Sequence, residues 1–252
     1  MSGPERLDEW KAIPCEVEPA PYYKKSCALI ALSTDIVIEN EVRELLSGDA
    51  VSLFVDRIEF RSLAREDLLA LRSSIAQAAR LIISQDRLDV VAVGCAAAAM
   101  AIGPSELHAL VTRARPGTVV TDPVSACLAA FASQSITKIA VVTPYPDDVN
   151  AGIERFYGQR GITIVAKASF KRSGGDDISR IPPQSILDAA REVGAAREAE
   201  CVLISCTALR SREILSAAER AIAKPVFSSN SALARHIQEL AMTANLRLPA
   251  QQ

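Results

Sequence analysis

The chain alternates between short runs without polar interruption and longer stretches in which apolar residues recur every third or fourth position. Uninterrupted runs occupy residues 27–34 (CALIALST), 89–95 (DVVAVGC), 118–122 (TVVTD), 138–145 (KIAVVTPY), 200–206 (ECVLISC) and 224–230 (KPVFSSN). Runs of this length, rich in Val and Ile, predict strands buried on both faces, as in a parallel sheet. Residues 51–60 (VSLFVDRIEF) and 162–170 (ITIVAKASF) alternate more and predict strands nearer a sheet edge. Between the strands, 66–82 and 185–196 show helical periodicity, and 104–114 opens with Pro and Ser, a helix-start signal. Strand and helix alternate throughout, which predicts an α/β class with right-handed crossovers.

The pattern repeats once. Ser33-Thr34-Asp35 ends the first strand and Thr143-Pro144-Tyr145 ends its counterpart. Phe60 pairs with Phe170, Cys95 with Cys206, and Ser125-Ala126 with Ser231-Ala232, at spacings of 110, 110, 111 and 106 residues counted from Ser33 onward. The expected fold is two similar parallel-sheet halves related by a pseudo-twofold. Their boundaries are set at 1–22 for an N-terminal extension, 23–135 for the first half and 136–230 for the second, with a helix at 231–244 packing back on the first. Ligands of open parallel sheets bind beyond the carboxyl ends of the strands, so the matched loops are expected to line one cleft between the halves.

Composition narrows the function without naming it. The 252 residues are 49% hydrophobic and carry a formal charge of -2, with no block of like charge. This excludes a basic nucleic-acid footprint and points to small molecules or a second copy as partners. The polar N-terminus lacks a secretory apolar core, and the longest apolar run, 90–103, falls short of the roughly 18–20 residues of a membrane span. A cytoplasmic protein without membrane association is expected. Six cysteines without a C-x-x-C and only two histidines give poor support for zinc, and no metal is expected.

Cys27, Cys127 and Cys201 sit inside apolar runs and read as small buried hydrophobes. Cys95 and Cys206 differ, since each ends a strand and is expected to open a helix. Exposed N–H groups and the helix dipole there favour a thiolate and an anion such as a substrate carboxylate. Two thiols on opposite walls suit inversion of a carbon next to a carboxylate, one removing a proton and the other returning one to the opposite face. Addition of one thiolate to an activated double bond is a second possibility, and packing alone is a third.

The segments VGCAAAAMAIGP (93–104), TPYPDDVN (143–150), SCTALR (205–210) and KPVFSSNSALARH (224–236) resemble the aspartate/glutamate racemase superfamily. Within it they resemble the branch of maleate isomerases, arylmalonate decarboxylases and ectoine-utilisation isomerase-like proteins. The likeness runs from Cys27 to Leu240. It implies two Rossmann-like subdomains, cofactor-free chemistry, a homodimer or larger assembly, and Cys95 and Cys206 as the catalytic pair. It implies substrate contacts from Tyr145, from Thr207, from the backbone after each cysteine (Ala96, Ala97, Ala208), and from Thr34 and Asp35. Decarboxylases of this branch lack the first cysteine, so Cys95 implies an isomerase or racemase. Two departures bear on substrate. Ala96 and Ala97 stand where hydroxyl residues are common, and Asp35 stands in a loop where maleate isomerases present Asn. Both weigh against a dicarboxylate and favour one carboxylate with a nitrogen group, such as an acylated diaminobutyrate. A maleate-type isomerase and a non-catalytic binding protein are the alternatives.

Ser125 and Ser231 read as helix caps, with Ser125 also a candidate substrate contact. Asp147 and Asp148 read as an N-cap pair, His236 as a surface residue, and 171–183 as a polar loop or a lid.

Overall fold

A computed structural model describes Trp10 and residues 12–17, 25–46, 48 and 51–243. Most of the expected extension 1–22 and the tail after 247 therefore lie outside the described residues. Among the described residues, Trp10, Ile13 and Val17 are fully exposed, and no helix is long and apolar enough to cross a membrane.

Among the described residues, eight strands form two four-stranded sheets. In the first half β1 (Lys25–Leu32) is followed by α1 (Ile38–Leu45), β2 (Val51–Ile58), α2 (Arg65–Leu81), β3 (Val90–Gly94), α3 (Ala96–Ile102), α4 (Pro104–Ala114), β4 (Val119–Thr121) and α5 (Pro123–Ser133). In the second, β5 (Lys138–Thr143) is followed by α6 (Asp147–Gly158), β6 (Thr163–Ser169), α7 (Gly175–Ser179), α8 (Pro183–Gly194), β7 (Cys201–Ile204), α9 (Leu215–Ile222), β8 (Val226–Ser228) and α10 (Ser229–Thr243). The orders are β2-β1-β3-β4 and β6-β5-β7-β8, with every pairing parallel. The second half thus repeats the topology of the first.

Position in the sheet explains the sequence pattern. β1, β3, β5 and β7 are central and almost wholly buried, so they carry no polar interruption; β2 and β6 are edges and only half-buried. The last helix begins two residues before its expected start. Ser228 and Ser231 cap each other, each hydroxyl accepting the other's backbone N–H at 3.0 and 2.9 Å. α10 follows β8 of the second sheet but packs on α5, α1 and β1 of the first. An aromatic cluster also spans the halves: Phe131 of α5 meets Phe227 edge-on at 5.6 Å and Tyr157 of α6 at 6.2 Å.

One glycine shapes the turn into the first cysteine and another ends the helix that follows it. At Gly94, which ends β3, a Cβ would lie 2.6 Å from Ile38 Cδ1 and 3.2 Å from Ile30 O, so only glycine lets α1 pack this closely. Gly103 takes φ +92° between α3 and α4, a conformation that needs no side chain.

Candidate active site

The strand ends converge. Leu32 ends β1, and the turn after it buries Asp35, whose Oδ1 accepts the N–H groups of Val37 and Ile38 at 2.9 Å each and so starts α1. Arg57 of edge strand β2 braces this turn, donating to the carbonyls of Leu32 (3.1 Å) and Asp35 (2.7 Å). The other carboxylate oxygen, Oδ2, is buried with no completed hydrogen bond; the Thr207 hydroxyl acts on the carboxylate without reaching bonding geometry. Burial pushes the Asp35 carboxyl above its ordinary range. The N–H of Ile38, the Thr207 hydroxyl, the N–H of Val37 and the Arg57 charge pull it back only in part.

Cys95 is the N-cap of α3, and its sulfur accepts the Ala98 N–H at 3.4 Å. Cys206 lies two residues past the end of β7, and a turn follows it rather than the expected helix. Thr207, Ala208 and Leu209 form that turn, closed by the Leu209 N–H on the Cys206 carbonyl at 3.4 Å. The Tyr145 hydroxyl and the Ala208 N–H lie near the Cys206 sulfur, and both favour a thiolate.

Even so, burial wins at both thiols. It lifts Cys95 to about 11 against the pull of the Ala98 N–H, with the Asp35 charge adding to the rise. It lifts Cys206 to about 12 against the pull of Tyr145 and Ala208. The N–H groups pull both thiols toward the thiolate as expected, but burial in the protein interior outweighs them and the net direction is upward.

Tyr145 is itself buried, and burial drives its hydroxyl well above the ordinary range, which leaves it a committed donor. Its loop is held from behind. Asn150 Nδ2 donates to the Tyr145 carbonyl at 2.8 Å while its Oδ1 accepts the Thr143 hydroxyl at 2.6 Å, and the Ser169 hydroxyl donates to the same carbonyl.

Thr34, Asp35, Cys95, Ala97, Tyr145, Cys206, Thr207 and Ala208 line one cavity, closed over by Leu32, Phe60, Leu63, Ser173 and Ile178. Its volume is 30 Å³, about one water's share of the liquid. Ser173 and the buried Ile178 belong to the 171–183 segment, which carries α7 rather than an open loop. Larger hollows of 290 and 360 Å³ contain no cysteine; the second, between α2, α3 and α6, shares Leu63 and Ala97 with the thiol cavity.

The remaining candidates fall elsewhere. Ala96 is buried beside Cys95 but does not line the cavity. Ser125 is removed from it as well, because its hydroxyl is committed to Asp122 Oδ2 at 2.6 Å. Asp122, not Ser125, caps α5, with Oδ1 accepting the Val124 and Ser125 N–H groups at 2.9 Å and Oδ2 accepting His108 Nε2 at 2.9 Å. The N-cap of α6 is Pro146; Asp147 and Asp148 lie in the first turn without a capping bond, and Asp147 pairs with Lys171 at 3.0 Å. His236 is half-buried rather than on the surface, its Nδ1 lying 2.8 Å from the Thr121 hydroxyl. Among the described residues, no cluster of three or more His, Cys, Asp or Glu is arranged to hold a metal ion.

Glu41, Ser211 and Asn230 escaped the sequence reading. Glu41 sits on the apolar stripe of α1 with Ile38 and Val42, and a carboxylate at such a position was the available signal.

The repeated four-strand halves, with a cysteine just past each third strand, give this α/β protein the fold of solved maleate isomerases and arylmalonate decarboxylases. The chain belongs to the arylmalonate decarboxylase family, whose profile matches residues 59–247. It is 24% identical over 216 residues to the maleate isomerase of Nocardia farcinica, covering 81% of this chain and 85% of that one. It is 26% identical over 121 residues to the arylmalonate decarboxylase of Bordetella bronchiseptica, covering 48% and 50%. Among solved structures it superposes with a TM-score of 0.79 on a cysteine-to-serine variant of Nocardia farcinica maleate cis-trans isomerase that carries a covalently bound succinylcysteine intermediate. That match is 20% identical and covers 86% of this chain and 92% of the other.

Proposed function

We propose that this protein is a cofactor-independent racemase or isomerase acting next to a carboxylate of a small amino-acid-like substrate, with Cys95 and Cys206 as its acid–base pair. The observation that carries the reading is the meeting of both thiols with Tyr145, Thr207 and Asp35 in one small cavity. One thiolate removes the proton from the carbon next to the carboxylate. The charge that develops spreads onto the carboxylate, which the Tyr145 and Thr207 hydroxyls and the N–H groups after each cysteine are suited to receive. The opposite thiol then donates its proton to the other face, and the stereocentre is inverted.

Asp35 supports the finer reading of a nitrogen-bearing substrate, as in ectoine-type catabolism. Its Oδ2 is a buried acceptor without a completed hydrogen bond, and such a group is costly unless a bound ligand supplies a donor. Alanines after Cys95 leave only backbone donors on that wall, which disfavours a second carboxylate. Cys95 itself speaks against a decarboxylase.

A maleate-type cis-trans isomerase is the second reading. In it one thiolate adds to the double bond, rotation follows about the resulting single bond, and the thiolate leaves again. The raised pKa of Asp35 favours it, since a protonated Asp35 donates to a second carboxylate. The substitution Asp35→Asn separates the two. Wild type and variant are given L- and D-aspartate, diaminobutyrate, its N-acetyl forms and maleate in heavy water, and followed by proton NMR. Loss of an α-proton signal from an amine or amide substrate, abolished in the variant, supports the racemase. Maleate turnover that survives the substitution moves the protein to the second reading. Inactivity of wild type across the panel with reduced thiols makes it a binding protein.

A further inference from the structure

The Cys206 turn is braced from the opposite half of the molecule. Glu41 of α1 is buried, and its Oε1 accepts the N–H groups of Ser211 (2.8 Å) and Arg212 (2.9 Å), which follow the turn. Its Oε2 accepts the Ser211 hydroxyl (3.2 Å) and Asn230 Nδ2 (2.9 Å). The same Asn230 nitrogen donates to the Thr207 carbonyl at 2.8 Å. One carboxylate therefore holds the far end of the turn directly and the peptide after Cys206 through one intervening amide.

The turn that leads into α1 holds Asp35, which lines the thiol cavity. This turn and the two-turn helix it opens thus present Asp35 to the cavity and Glu41 to the loop behind Cys206. A buried carboxylate is costly, and here backbone and side-chain donors satisfy both oxygens. Burial on its own would be met as well by a leucine, the residue type expected on an apolar stripe; the donor set that Glu41 collects comes from the Cys206 loop and its support.

We infer that Glu41, acting through Ser211, Arg212 and Asn230, is a positioning residue that fixes the Cys206 turn, so that the Cys206 thiol and the Ala208 N–H face the cavity. Its catalytic meaning rests on the role proposed above for Cys206, but its test does not.

The test is Glu41→Gln, with Asn230→Ala as the second variant. Either orientation of a glutamine amide sets a donor against a donor, at Asn230 or at the Ser211 and Arg212 N–H groups. Turning the Asn230 amide over restores one contact but places its oxygen against the Thr207 carbonyl. Alkylation of the folded, reduced protein by iodoacetamide is followed residue by residue by mass spectrometry, next to its thermal midpoint. Burial is the leading cause of the high Cys206 pKa, so a released turn hydrates the thiol. Alkylation of Cys206 should rise by roughly tenfold relative to Cys95, the change in thiolate for one unit of pKa. Asn230→Ala should give the same selective rise, because it cuts the link to the Thr207 carbonyl together with one of the four bonds to Glu41 and leaves the Ser211 and Arg212 bonds in place. A lower thermal midpoint with an unchanged Cys206 to Cys95 ratio would overturn the inference and leave Glu41 a structural strut. An equal rise at both cysteines would overturn it too, as general loosening. Because no turnover is read, this outcome stands apart from the success or failure of the proposed function.

Discussion

The two cysteines occupy the same place in two copies of one topology, yet their surroundings have diverged. Cys95 caps a helix that opens with four alanines, and the polar groups that act on its thiol are the Ala98 and Ala97 N–H groups of that helix and the Asp35 charge. Cys206 begins a turn whose neighbours are Thr207, Tyr145, Asn230, Ser211 and, behind them, Glu41. One wall is apolar and shaped by a helix; the other is polar and held by a network that crosses between the halves. Under the proposed function, the Cys95 wall would fit the body of the substrate and the Cys206 wall would grip its carboxylate.

The largest expected effect tests whether both walls are needed. Cys95→Ser and Cys206→Ser should each lower kcat by roughly 10²–10⁴-fold, the usual worth of a positioned acid or base, with the thermal midpoint nearly unchanged. Full activity in either variant would break the comparison, because one wall would then suffice. Next comes the polar wall alone. Thr207→Val removes the hydroxyl without changing shape, and KM should rise by roughly tenfold or more, as for loss of a hydrogen bond to a charged group. The matching change on the other wall, Ala97→Ser, should leave the preferred substrate nearly unaffected and improve binding of a dicarboxylate.

A smaller effect concerns pH. The thiols of Cys27, Cys201 and Cys206 are pushed by burial to about 12, that of Cys95 to about 11, and that of Cys127 higher still. A folded pKa above the unfolded value of 9.0 means that the native state holds these protons more tightly. The stabilisation is complete below pH 9.0 and is lost as the pH rises through 11 and 12. The thermal midpoint should therefore fall from pH 9 upward, and Cys95→Ser should remove the earliest part of that fall. A flat midpoint up to pH 11 would contradict the burial account. The smallest effect belongs to Ser125→Ala, expected to cost about 1 kcal/mol or less by loss of one bond to Asp122 while leaving KM untouched.

The fold was legible because sheet position writes itself into hydrophobic pattern. Central strands such as 27–32 and 201–204 must be apolar on both faces, and the edge strands 51–58 and 163–169 showed their alternation. Most of the site was legible from the repeat, because matched loops at strand ends meet in such a fold. What stayed hidden depends on contacts between residues distant in sequence. Glu41 meets partners about 170–189 positions away, and no local pattern announces a bond of that kind. Ser125 misled for the opposite reason. A serine after a strand end looks free to bind a ligand, while Asp122 three residues earlier had already claimed its hydroxyl. The turn after Cys206 was read as a helix by analogy with Cys95, and here the repeat itself was the source of error.

The most direct test of the two-thiol account is chiral analysis of product in heavy water, comparing wild type with Cys95→Ser and Cys206→Ser on whichever substrate turns over. The account predicts that wild type interconverts both enantiomers with solvent deuterium entering at the inverted carbon, and that neither single variant does so. Interconversion at the wild-type rate by either variant would contradict it.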